Sequence, residues 1–170
     1  MTTHRFFLPL SLLMLTAVLG PRHDARGQSK EQTVEQLATR AEIVAVGTVA
    51  DLRSDWNADR TRISTQVTLR VDQYLKGGNT GNILTLTVPG GEVDDVGETY
   101  SHVPRFSQNE AVVVFAQADK GGMLRVTGGE QGKISVRRDE RSGRMLVGQG
   151  EVLEAFTTRI KNALKSRQQK

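Results

Sequence analysis

A chain of 170 residues, 37% hydrophobic and 25% charged, is long enough for one domain with its own core and has the composition of a soluble globular protein. It contains no cysteine, which excludes disulfides, thiolate metal sites, a cysteine nucleophile and a lipid-modified N-terminal cysteine. The formal charge of +4 falls to +2 when residues 1–27 are set aside, leaving 20 basic and 18 acidic residues, a balance that does not point to a nucleic-acid partner.

Residues 1–27 read as a leader. His4 and Arg5 precede an apolar run from Phe6 to Gly20, too short for a comfortable membrane span and followed at once by polar residues. Ala25 and Gly27 supply small residues at the −3 and −1 positions, so cleavage is expected before Gln28. The expectation is a signal peptide over 1–27, a single domain over 28–170, a secreted or periplasmic location, and no stable membrane span after cleavage.

Ser29 offers a helix N-cap with Gln32 as its reciprocal partner. Val34, Leu37, Ala38 and Ala41 recur at helical spacing, which predicts a helix over about Lys30–Arg40. Ala41–Ser54 reads as a strand through Ile43, Val44, Val46, Val49 and Leu52, apolar on both sides at first, with Gly47 permitting a bulge or strong coiling. Asp55–Arg60 is a turn with Trp56 near its tip, either a binding anchor or a cover for the end of a barrel. The clearest pattern in the chain follows, Arg62–Gly77. Ile63, Val67, Leu69 and Val71 form one row, and Arg62, Ser64, Gln66, Thr68, Arg70 and Asp72 the other, as in a long half-buried strand.

After the turn at 77–82, Ile83–Val88 is a short strand with Leu84, Leu86 and Val88 on one face. Pro89-Gly90-Gly91 either ends it or brings backbone close to a ligand. The segment 90–110 has no regular periodicity, and a connection that long is often functional. Ala111–Ala116 is a buried strand, Asp119–Gly122 a turn, and Met123–Thr127, Gly132–Arg137 and Arg144–Val147 are further short strands. Glu151–Ser166 predicts an amphipathic helix with Leu153, Phe156, Ile160 and Leu164 along one side. Acids at its start and Lys161 and Lys165 near its end suit the helix dipole.

The pattern AEIVAVGTVADLRSDW, ISTQVTLRVDQYLKG, VPGGE, PRF, EAVVVF, spanning about Ala41–Val136, resembles a group of small exported bacterial proteins. More distantly it is similar to the netrin-like module of the tissue inhibitors of metalloproteinases, in which a strand of the type AxxVxxGxV leads to one ending in LKG. Here those are Ala41–Val49 and Val67–Gly77. The resemblance implies a mainly β, OB-like small barrel with one flanking helix before it and one after, in keeping with the number of short strands. It carries no inhibitor residue over, because that family acts through a disulfide-tied N-terminal cysteine segment and this chain has no cysteine.

Candidate chemistry concentrates in the irregular segment. Glu92, Asp94, Asp95 and Glu98, with Tyr100 and His102 nearby, offer an oxygen-rich site for calcium or zinc, although the spacing matches no EF-hand loop and a solvated acidic loop is the simpler reading. A metal-binding domain, or a hydrolase using 92–102 with His102 as general base, is therefore one alternative. His102 is the only histidine after residue 27, which rules out a multi-histidine zinc site within one chain. No nucleophile elbow or phosphate-cradling glycine motif is present. Pro104, Arg105 and Phe106 form either a recognition tip or a barrel plug with Arg105 in water. The polar row of Arg62–Arg70 carries no aromatic for base stacking. The function expected is a non-catalytic exported domain with no required cofactor. It would contact a protein partner through the 90–106 loop and the 55–60 hairpin tip, using Trp56, Tyr100, His102, Arg105 and Phe106. A protease-inhibitor-like module is a further alternative, on the resemblance alone.

Overall fold

A computed structural model describes residues 31–78 and 81–168. The leader and Ser29–Lys30 lie outside these residues. Helix α1, Val34–Arg40, starts later than its apolar spacing suggests. Its N-cap is Thr33, whose side chain accepts from the Gln36 N–H while Gln36 accepts from the Thr33 N–H, a complete capping box. Gln32 is not a reciprocal partner here: its N–H donates to Gln131 Oε1 at 2.7 Å.

Strands β1, Ile43–Trp56, and β2, Ile63–Lys76, form a long antiparallel hairpin, and β3, Ile83–Pro89, extends it as a meander. The segment expected to be irregular contains a small separate hairpin, β4 (Gly91–Val93) with β5 (Val96–Glu98). Three-residue strands are too short to print a periodicity. Strand β6, Ala111–Ala118, pairs with β1 on the side away from β2. Then come β7 (Leu124–Val126), a 3-10 turn at Gly129–Gly132, β8 (Lys133–Arg138), β9 (Met145–Val147) and β10 (Glu151–Val152). Helix α2, Leu153–Gln168, closes the described chain. Glu151 and Val152, expected in that helix, instead pair with Val147 and Leu146.

The result is an eight-stranded antiparallel sheet in the order β10-β9-β8-β6-β1-β2-β3, with β7 also paired to β6. The sheet curls until β7 lies beside β3. No ladder joins those two strands, so the closed barrel expected from the strand count is not formed.

Two cores follow from strand alternation. Inside the curl, Ala45 and Val49 of β1 meet Val67, Leu69 and Val71 of β2, Leu84, Leu86 and Val88 of β3, and Val112, Val114 and Ala116 of β6. The opposite row of β1 and β6, Val44, Val46, Val113 and Phe115, faces α1 and α2 through Leu37, Ala38, Phe156 and Ile160. β1 and β6 are thus buried on both faces, which is why they read as continuous apolar runs. The outer row of β2 keeps Gln66, Arg70 and Asp72 exposed. Gly47 lies at a register shift of the β1–β2 ladder, and a Cβ there would stand 2.4 Å from the Arg70 carbonyl oxygen. Glycine is needed at that close approach.

Two cationic side chains fasten the helices. Arg159 of α2 pairs with both Glu35 of α1 and Glu151 of β10. Lys76, at the end of β2, donates from Nζ to the carbonyls of Ala38 and Thr39 at 2.9 Å and of Ala41 at 2.5 Å, covering the orphan carbonyls at the end of α1. Burial, opposed by Glu42, holds the Lys76 ammonium below its ordinary pKa. Replacing it with methionine keeps the stem and deletes the donors. Lys76→Met should cost about 1–3 kcal/mol of unfolding free energy, read as a lower urea midpoint at unchanged m-value.

Candidate functional site

β1 and β2 run past the end of β6, so the inner face of their upper halves has no β-strand roof. A cleft of about 530 Å³ occupies this position. Its floor continues the inner core through Leu52, Val67 and Val88, and Val103 and Phe106 close it from the chain segment that crosses above. Its rim is polar, with Ser54, Thr65, Glu92, Glu98, Tyr100 and Arg105.

The crossing segment, 97–110, is tied down at both ends. At the β5 end, Glu98 Oε2 accepts from the Ile63 N–H at 3.1 Å and from the Tyr100 hydroxyl at 2.8 Å, and Arg62 Nη1 donates to the same hydroxyl at 3.0 Å. The Ile63 N–H first, then the Tyr100 hydroxyl and the charge of Arg62, hold the Glu98 carboxyl below its ordinary value. At the β6 end the chain joins β1: Asn109 N–H donates to the Val49 carbonyl and Val49 N–H to the Glu110 carbonyl. Glu110 receives Lys133 Nζ at 2.5 Å, Ser135 Oγ at 2.7 Å and the Ser107 N–H at 3.1 Å. Burial works to raise the Glu110 pKa, but these donors outweigh it and the net direction is down. Lys133 also stands 5.5 Å from the centre of the Phe106 ring, a cation–π contact that fixes the ring at the cleft. Between the anchors, the His102 carbonyl accepts from the Glu130 N–H at 3.0 Å.

The Pro89-Gly90-Gly91 turn brings backbone close to the chain's own hydroxyls. Ser54 Oγ and Thr65 Oγ1 lie 2.9 Å apart, and Thr65 donates to the Gly90 carbonyl at 2.7 Å. Gly91 has φ 134°, and a Cβ there would stand 2.3 Å from Thr65 Oγ1 and 2.4 Å from Ser54 Oγ.

Of the residues singled out from sequence, Tyr100, Arg105, Phe106 and Glu92 line this cleft. Trp56 does not: it is half-buried at the end of β1, facing Ile63 across the ladder. His102 is exposed and outside the lining, and its left-handed backbone (φ 61°) serves the contact with the 3-10 turn. Asp94 and Asp95 sit exposed at the β4–β5 turn. Among the described residues no group of three or more His, Asp or Glu side chains is placed to hold a metal ion, so the calcium or zinc site drawn through Glu92, Asp94 and Asp95 has no geometry behind it. Ser54, Thr65 and Glu98 were not singled out as contact residues. Thr65 carried a signal, being the polar member of the apolar row Ile63–Val71. No protein-family model and no curated protein matches this chain.

Two consequences can be measured. Gly91→Ala forces a side chain into the hydroxyl pair at a backbone angle that L-residues avoid, and should cost about 1–3 kcal/mol, seen as a lower thermal midpoint. The Glu98 pKa is depressed in the folded state, so its contribution is complete above the ordinary value of 4.5 and is lost as pH falls through the folded value. Glu98→Gln should therefore be less stable than wild type at neutral pH, and the gap should close as denaturation is repeated well below pH 4.5.

Proposed function

We propose that this chain is an exported, non-catalytic binding domain that contacts a protein partner through residues 90–106 and the 55–60 hairpin tip. The cleft carries the proposal: an apolar floor with a ring of polar groups, built from the most irregular part of the chain on a rigid sheet. Arg105 is exposed at the rim and has no ion-pair partner among the described residues, so it is free to meet a partner. Phe106, held by Lys133, offers a fixed aromatic surface.

A non-catalytic role is supported by how the polar groups are already engaged. The Ser54 hydroxyl is paired with that of Thr65, with no histidine beside it. Glu98 is spent on Ile63 and Tyr100, and His102 faces solvent outside the cleft.

The OB-like assignment, and with it the likeness to the netrin-like module, is part of the same proposal. The β1-β2-β3 meander, the antiparallel β1–β6 pair and the position of β7 between β6 and β3 support it. OB-type sheets are partly open barrels. Secretion and cleavage before Gln28 rest on the leader sequence. Among the described residues no helix is long and apolar enough to cross a membrane.

A photo-cross-linker at position 105 should capture a discrete protein adduct in the exported fraction, and one at the exposed turn residue Glu140 should not. Trp56→Ala should reduce that adduct several-fold without shifting the thermal midpoint by more than a few degrees. Equal labelling from both positions would remove the reading.

A further inference from the structure

From Asp51 to Trp56, β1 pairs with β2 alone, because β6 stops pairing at Thr48 and the incoming chain reaches only to Val49. Ladder parity shows which backbone groups this leaves free. The Asn57 N–H donates to the Arg62 carbonyl at 2.8 Å, and the register is regular from Asp51 to Trp56. Alternation therefore turns the N–H and C=O of Arg53 and Asp55 toward β2, and those of Leu52, Ser54 and Trp56 toward the open edge. The contact between the Ser54 and Thr65 hydroxyls agrees, since facing side chains are closest in the pairs that do not exchange backbone bonds. Among the described residues, no backbone hydrogen bond from another segment reaches Leu52 or Ser54. The Trp56 N–H is held by its own Asp55 carboxylate at 2.7 Å.

We infer that this edge pairs with the same edge of a second copy, antiparallel and about a two-fold axis at Ser54. Charge selects the occupant and the register. Asp51, Arg53 and Asp55 are exposed and alternate in sign along the outer face. An antiparallel pair that uses the outward backbone groups must set Leu52, Ser54 and Trp56 against one another. Centred on Ser54, it places Arg53 opposite the second copy's Asp55 and Asp55 opposite the second copy's Arg53. Moving the centre to Arg53 sets arginine against arginine and Asp51 against Asp55. Moving it to Asp55 sets aspartate against aspartate. Like charges directly opposite destabilise a ladder and opposite charges favour it. The Ser54 register is isologous, so it closes as a dimer and does not propagate.

On the inner face the same register brings the second copy's Trp56 opposite Leu52, whose side chain lines the cleft. This gives the half-buried tryptophan at the hairpin end an apolar neighbour that its own chain does not supply there. The dimer goes beyond the foreign-partner reading and does not depend on it.

Sedimentation velocity of the purified protein over a range of concentrations tests the dimer. Wild type should show a monomer–dimer equilibrium. Arg53→Asp and Asp55→Arg should each weaken it about tenfold or more, since each replaces two attractive cross-strand pairs by two repulsive ones. Both positions are exposed, so circular dichroism and the thermal midpoint should stay near wild type. An equimolar mixture of the two single variants should regain a dimer, and the double variant should dimerise alone, because both restore opposite charges across the axis. A wild-type protein that stays monomeric up to about 1 mM overturns the proposal. So does a dimer that both single variants leave unchanged, or a mixture that remains monomeric. Cross-linking from position 105 is read independently, so failure of one reading leaves the other standing.

Discussion

The structure depends on the length of one strand. β1 has 14 residues and β6 has 8, so the sheet cannot be uniform along β1. In its lower half β1 lies between β2 and β6, with Val44 and Val46 under the helices and Ala45 and Val49 inside the curl. In its upper half it has β2 on one side only, and its residues alternate half-buried and exposed from Asp51 onward. Continuous apolar sequence below and alternation above are the direct record of two environments on one strand. The cleft lies over the inner face of the upper half, and the free edge lies along it.

Bending such a strand requires relief in its ladder. The register shifts at Val44/Ala45, Val46/Gly47 and Val49/Asp51 supply it, since each bulge adds local twist and lets the strand coil. Gly47 is the tightest point, where the strand passes closer to β2 than any Cβ permits. The far end of the hairpin is held differently. Lys76 buries its stem and spends its donors on α1, so the sheet and the first helix are joined by charge-assisted hydrogen bonds as well as by the packing of Leu37 and Ala38. A lysine at the end of an alternating strand has the appearance of ordinary surface polarity until its partners are known.

Much of this was legible in the sequence because it depends on patterns longer than a few residues. The row Ile63, Val67, Leu69 and Val71 is buried as its alternation requires, and the run Ala111–Ala116 is sealed on both faces at its centre. Local signals misled where two of them competed within a few residues. Ser29–Gln32 and Thr33–Gln36 have the same capping spacing, and the helix uses the second. Glu151 suits a helix start by charge, yet a two-residue ladder with β9 takes it and the helix begins at Leu153. The β4–β5 hairpin was illegible because its strands are shorter than one period of any amphipathic repeat. Which rim residues would converge was illegible for another reason. Glu98, Arg62 and Tyr100 meet across 38 positions of chain, and only the register of the sheet brings them together.

The cleft also raises the question of why an apolar floor stays open when collapse would remove more surface from water. The answer lies in the segment that crosses it. Its ends are fixed by two separate carboxylates, Glu98 on the Ile63 N–H and Glu110 on Lys133 and Ser135. Its centre is stiffened by the buried Pro104 and by the His102 carbonyl on the 3-10 turn. Below it, Gly91 is already in contact with the paired hydroxyls of Ser54 and Thr65, so that side of the cleft has no room to descend. Moving the segment onto Leu52, Val67 and Val88 would break charge-assisted hydrogen bonds at one end or the other. Each of these is worth as much as burying a small apolar side chain. The opening is therefore held by polar contacts at its margins, and the apolar floor is kept available to another molecule.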